Sequence, residues 1–233
     1  MSTPAYRACY TAIVDSWEKL NEEIVNCRRC PRLVAWREKV AREKRAAFRD
    51  WTYWGRPLPG FGDHKARIMA LGLAPAANGG NRTGRIFTGD RSGDWLFAAL
   101  HRAGYASQPE SVSRDDGQRL HDAFVTAAVR CAPPQNRPTP EERDNCLPYL
   151  RRELALLRDL RVIIPLGHFA YDALALALKQ RGRPKFGHGV EWRLQGGQTV
   201  LISFHPSQRN TFTSLLTVEM FDRIFRRATQ LAG

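Results

Sequence analysis

The stretch ARIMALGLAPAANGGNRTGRIFTGDRSGDWLFAAL, residues 66–100, passes from an apolar run through a loop of glycine and small residues into a helical pattern. Residues 66–73 have the length and continuous apolarity of a strand buried on both faces. Residues 92–104 carry apolar positions at helical spacing, with Ser92 as the expected N-cap. A loop at the carboxyl end of such a strand lies where open α/β sheets bind their ligands. Backbone N–H groups near residues 90–94 are expected to offer a phosphate a seat. The loop has neither a P-loop lysine nor a G-x-G-x-x-G pattern, which disfavours a phosphorylated small molecule as its occupant.

Working outward, AFVTAAVRC (123–131), RVIIPLG (161–167) and QTVLISFHPS (198–207) read as three more strands. Helical patterns fall over residues 10–25 (Ile13, Trp17, Leu20, Ile24), about 168–180, and 217–232. Another helix starts at Thr139, with Pro140 in its first turn and Glu142 completing a capping box, and Pro148 is expected to end or kink it. Residues 31–63 are basic and aromatic as far as Trp54, then irregular. Strands alternating with helices predict one domain over 1–233, a three-layer α/β/α fold with a central, mostly parallel four-stranded sheet. The quoted loop, RCAPPQNRP from residue 130 and FHPSQRN from residue 204 then all follow strands, and one shared site is expected.

The chain has 233 residues and 43% hydrophobic content, enough for a sizeable core, and no collagenous or low-complexity pattern. Its formal charge of +13 favours a polyanionic partner, nucleic acid ahead of an anionic membrane. No apolar stretch reaches the roughly 20 residues of a membrane span, and the N-terminus lacks the pattern of a signal peptide. A soluble, cytoplasmic protein is expected.

In a reducing compartment five cysteines are read for metal chemistry rather than disulfides. Cys27 and Cys30 form C-x2-C, while Cys131 and Cys146 flank a proline-rich turn and a helix start. Four thiolates suit either zinc or a 4Fe–4S cluster, and the looser second pair leans toward the cluster. Plain burial is the competing reading. Cys9 stands apart and is read as free.

Three motifs, GLAPAANGGNRTGRIFTGD, TAAVRCAPPQNRPTPEE and HPSQRNTFTSLLT, together with the four cysteines in that order, resemble the family 5 iron–sulfur uracil-DNA glycosylases. The resemblance runs from about Cys27 to the last helix. It implies a monofunctional enzyme that hydrolyses the N-glycosidic bond of uracil in DNA and leaves an abasic site. It also implies a 4Fe–4S cluster on Cys27, Cys30, Cys131 and Cys146, with a structural role. Asp90 matches the aspartate that orients water and stabilises an oxocarbenium-like sugar, and His205 matches the histidine that donates to a pyrimidine carbonyl oxygen. Gly72, Ala74, Pro75 and Ala76 would let the backbone approach an extruded base, with Phe87 as a stacking face. Asn81, Arg82 and Arg85 are candidate phosphate or base contacts. Ser207, Gln208, Arg209 and Asn210 are candidate DNA contacts or wedge residues.

Two departures bear on chemistry. Ala74 stands where related uracil glycosylases place a water-orienting acidic or amide residue, which leaves that role to Asp90. Ala127 stands where narrow ones place a base-reading asparagine, so a pocket also accepting hypoxanthine and other deaminated bases is expected. No lysine matches a Schiff-base position, and Lys185 is read as a DNA contact or solvated. A monomer acting on DNA, with no membrane, is the expectation. The rival reading is a non-catalytic nucleic-acid-binding module around a four-cysteine metal centre.

Overall fold

The computed structural model describes residues 15–233, so Ile13 and Cys9 lie outside the described residues. Strand β2 (Ile68–Gly72) runs parallel to β3 (Ala123–Ala127) on one side and to β4 (Val162–Pro165) on the other, and β4 pairs in parallel with β6 (Thr199–Leu201). The chain therefore builds outward from β2 in one direction and then reverses past it. Such a reversal opens a crevice at the carboxyl ends of the strands.

These are the four strands read in the sequence. The sheet has six, because β1 (Phe61–Gly62) and β5 (Glu191–Arg193) add antiparallel edges, giving the order β1-β3-β2-β4-β6-β5. Two- and three-residue edges are too short to generate a periodic signal, which is why the expectation of four falls short.

Side chains alternate across the central strands. Ile68, Ala70, Val125 and Ile164 face α4 (Arg91–Arg102) and α8 (Val218–Ala232). Met69, Leu71, Phe124 and Ile163 face α5 (Pro140–Leu156) and α6 (His168–Leu178). The three-layer expectation stands. Helix α1 (Trp17–Val25) buries Leu20 and Ile24 against Tyr149 of α5. Residues 31–63, left without elements by sequence reasoning, contain α2 (Pro31–Glu43), which has only Leu33, Val34 and Arg37 buried. The capping box at Thr139 and Glu142 forms as expected. Pro148 does not end α5, because Tyr149, Leu150, Glu153 and Leu154 beyond it are buried. Their packing outweighs the roughly 3 kcal/mol that an interior proline costs. No helix among the described residues is long and apolar enough to cross a membrane.

One charged group lies inside the α5 layer. Arg130, just past β3, forms a two-pronged ion pair with Glu153, with contacts of 2.9 and 2.6 Å, and Thr126 bonds to both partners. Arg130 and Glu153 are essentially inaccessible to solvent. Removing one partner strands a buried charge, whereas removing both does not. Glu153→Ala is expected to lower the unfolding free energy in urea by about 3–5 kcal/mol. The double variant Arg130→Met, Glu153→Met should lose clearly less.

Candidate active site

A cavity of about 770 Å³ opens at the carboxyl ends of β2 and β6, lined by Leu73–Gly79, Phe87, Asp90, His205 and the start of α7 (Gln208–Phe212). The quoted loop and the FHPS segment thus meet, as the topology predicts. RCAPPQNRP contributes Asn136 to the same wall.

Asp90 is the N-cap of α4, and its Oδ1 accepts the Gly93 N–H at 3.0 Å. The expected cap, Ser92, is displaced into the first turn. The expected phosphate seat is also filled, since the anion at this helix N-terminus is the Asp90 carboxylate itself. Its other oxygen, Oδ2, lies where Gly79 has no side chain: a Cβ there would stand 2.2 Å from it. Burial pushes the Asp90 carboxyl above the ordinary carboxylate value, with the Gly93 N–H opposing and neighbouring Asp94 reinforcing the shift.

Phe87 adopts a left-handed backbone with φ 52°, a conformation costly for an aromatic residue. Two glycines make it possible. A Cβ on Gly72 would lie 2.5 Å from the Phe87 ring, and one on Gly93 would lie 1.9 Å from its carbonyl oxygen. Gly72 therefore shapes the floor beneath Phe87 and does not itself line the cavity.

His205 is half-buried, and desolvation drives its imidazole down to about 4 and keeps it neutral. Its ring centroid is 6.2 Å from that of Phe87. Asn210, expected at DNA, instead donates from Nδ2 to the His205 carbonyl at 2.9 Å. His188 accepts the preceding Phe204 N–H on Nδ1 at 3.2 Å, a support with no signal in the sequence.

Three other expected DNA contacts turn inward. Arg82 bonds the carbonyls of Asn78 (2.8 Å) and Gly89 (3.0 Å), and its guanidinium lies 3.9 Å from the centre of the Phe48 ring and 4.1 Å from that of Trp51. Arg85 is buried between Phe61 and Phe97 and pairs with Asp116 at 2.6 Å and Ser111 at 2.7 Å. Asn81 donates to the Arg37 carbonyl at 3.2 Å. All three brace the loop, and none reaches the surface. Ala74, Pro75, Ala76, Ser207, Gln208 and Arg209 do line the cavity. Ala127 is packed in the core beneath it. Arg45, Phe48, Asn78, Arg91 and Asn136 also line it and were not singled out by sequence reasoning. The first two come from the basic, aromatic run that carried no motif. Lys185 does not line it.

Away from this cavity, Cys27, Cys30, Cys131 and Cys146 line one small cavity together, all as free thiols. Burial pushes Cys131 up to about 11 and Cys146 up to about 12. Against that apolar setting, Arg37 is 2% exposed and donates from Nη1 to the Cys131 sulfur at 2.8 Å, while its Nε finds no partner. Among the described residues, no group of three or more His, Cys, Asp or Glu is arranged to hold a single metal ion. A buried cation aimed at sulfur fits an anionic thiolate-bound cluster better than four neutral thiols.

The family described as Uracil DNA glycosylase superfamily matches residues 59–229. Over 218 residues the chain is 56% identical to the type-5 uracil-DNA glycosylase of Mycobacterium bovis, spanning 92% of this chain and 81% of that protein. It is 51% identical to the type-5 uracil-DNA glycosylase of Thermus thermophilus, spanning 93% of this chain and 98% of that one. To the type-4 uracil-DNA glycosylase of Pyrobaculum aerophilum it is 34% identical, over 82% of each chain.

A carboxyl whose value is raised on folding favours its proton in the native state. The stability this gives is present at low pH and lost as pH rises from the ordinary carboxylate range through the folded value. Asp90→Asn keeps a capping side chain and removes this titration. Its melting temperature should exceed that of the native protein at pH 7, and the gap should close as pH falls toward 4.

Proposed function

The chain belongs to the uracil DNA glycosylase superfamily, and from that membership we propose that it removes uracil, and also hypoxanthine, from DNA by hydrolysing the N-glycosidic bond. It is a DNA glycosylase, and the reading as a binding module without catalysis falls with that. The observation that carries the proposal is a half-buried, desolvated carboxylate and a neutral imidazole lining one cavity large enough for an extruded base.

Cleavage builds positive charge on the sugar and negative charge on the departing base. The Asp90 carboxylate stabilises the first and orients the attacking water. The Gly93 N–H holds Oδ1, and Oδ2 packs closely against Gly79, so the carboxylate is fixed in one orientation at the cavity wall. The neutral His205 donates one N–H to a base carbonyl oxygen as charge collects there. Phe87, held by Gly72 and Gly93, supplies a stacking face. Ser207, Gln208 and Arg209 at the rim meet the DNA backbone, and exposed Phe212, against Arg91, and exposed Leu215 follow them as the apolar side chains for filling the emptied stack. Hypoxanthine is accommodated because no β3 side chain reads the base edge from Ala127.

The four cysteines would hold a 4Fe–4S cluster, whose iron–thiolate bonds tie the start of α2 to the segment after β3 and to α5. Arg37 neutralises part of the charge on its sulfurs. Purified protein should show broad visible absorption with iron and inorganic sulfide, both lost in Cys131→Ser, whereas a zinc protein would be colourless.

Duplexes carrying one uracil or one hypoxanthine, treated with alkali after incubation, test the reaction. Strand breakage at both bases is expected, reduced about 10²- to 10⁴-fold in Asp90→Asn and about 10²- to 10³-fold in His205→Ala. The rate should fall on an acid limb above the ordinary carboxylate range, set by Asp90, with no inflection near the imidazole's usual value of about 6.5. Absence of breakage in the wild type overturns the proposal.

A further inference from the structure

Asn78 sits at the tip of the loop and lines the cavity, and its side-chain amide is held in one orientation. The Tyr53 hydroxyl donates to Asn78 Oδ1 at 2.9 Å. The same phenol oxygen receives the Arg45 backbone N–H, at a long 3.5 Å. A hydroxyl has one proton to give, and here it goes to Asn78 Oδ1, so the amide presents its carbonyl to Tyr53 and turns its NH₂ away from it. The Asn78 backbone is fixed as well, through the Arg82 Nε bond to its carbonyl at 2.8 Å. What remains is the Asn78 NH₂, which has no partner among the described residues and belongs to a side chain on the cavity wall.

We propose that Asn78 reads the carbonyl oxygen created by deamination, with Tyr53 as the positioning residue that keeps its amide facing donor-first. Deamination replaces an exocyclic amino group by an oxygen, at C4 when cytosine becomes uracil and at C6 when adenine becomes hypoxanthine. A donor that cannot rotate accepts the oxygen of either product and meets N–H with N–H in either parent base. The mispaired donors are left unsatisfied in a buried site, which penalises cytosine and adenine together. One side chain thus admits a pyrimidine and a purine by their shared acceptor while rejecting normal DNA. The inference rests on the glycosylase reading and names the side chain that selects its substrates, bases with an oxo group where the parent carries an amine.

The test compares wild type, Asn78→Ala, Asn78→Asp and Tyr53→Phe. Excision is measured on duplexes with uracil, hypoxanthine or mismatched cytosine, and binding on duplexes with a non-cleavable 2′-fluoro nucleotide of uracil or cytosine, or an abasic analogue. Asn78→Ala should lower kcat/KM for uracil and hypoxanthine by similar factors of about 10- to 100-fold. It should bind the abasic duplex as wild type does and lose the preference for the 2′-fluoro-uracil duplex over the cytosine one. Asn78→Asp, which offers only acceptors, should lose more on both deaminated bases. In Tyr53→Phe the amide is free to turn, so the ratio of cytosine to uracil binding should rise at unchanged abasic binding. Such a ratio does not respond to a merely structural defect. Excision and selectivity within twofold of wild type in Asn78→Ala overturn the inference, as does a loss of abasic binding in parallel with excision. If wild type distinguishes the two 2′-fluoro duplexes through Asn78 yet cleaves nothing, the glycosylase reading fails and the inference stands.

Discussion

The site depends on a single guanidinium. Arg82 reaches from the short helix α3 (Gly80–Thr83) to the carbonyls of Asn78 and Gly89, one on each side of its own turn. That closure brings the tip of the loop and the residue before Asp90 into a fixed relation. The rings of Phe48 and Trp51 cover the guanidinium, so the bonds operate in a dry setting where they are stronger than at the surface. A second layer backs the first: Arg85, Thr88, Ser111 and Asp116 form a buried network behind Phe87. The loop is irregular in its dihedrals yet most of its polar side chains are hydrogen-bonded, with Asn81 Oδ1 and Arg82 Nη1 buried without a partner among the described residues. Such a support holds the Asp90 carboxyl in the desolvated setting that raises its value.

The layers were legible because central strands and helices obey simple periods. Ile68–Gly72 and Ala123–Ala127 are apolar throughout, and Thr139, Pro140 and Glu142 mark a helix start by chemistry alone. Asp90, His205 and the small residues of the loop were legible from motif resemblance, and they line one cavity. What could not be read is where arginines point. Arg82 and Arg85 sit in a loop of a strongly basic chain, where solvation or DNA contact is the natural expectation. Their burial is decided by aromatic residues distant in sequence, Phe48 and Trp51 for one, Phe61 and Phe97 for the other. Pairings of this kind have no periodicity. The same holds for Arg45 and Phe48, whose arrival at the cavity depends on residues 45–54 folding back over the loop.

Buried charge recurs with a pattern. Arg130 meets Glu153 and is neutralised within the protein. Arg37 is equally inaccessible, but it meets a cysteine sulfur, a carbonyl and no carboxylate. The first arrangement pairs opposite charges, and the second sets its cation against sulfur. Because Asn81, beside Arg82, donates to the Arg37 carbonyl, the helix that follows the first cysteine pair and the loop after β2 share a direct hydrogen bond. The two regions are mechanically continuous although their chemistries differ.

The sheet's borders carry a different consequence. β1 is two residues long, and β5 is three, with Glu191 and Arg193 projecting outward and Arg227 of α8 bonded to Glu191 at 2.7 Å. Long unpaired strands invite another chain to add itself, and brevity with charge prevents it. A protein so basic is drawn to crowd along a polyanion, where neighbouring copies meet at high local concentration. Its blunted margins leave a neighbouring copy little backbone to pair with, so close approach on a polyanion does not by itself template sheet-to-sheet association.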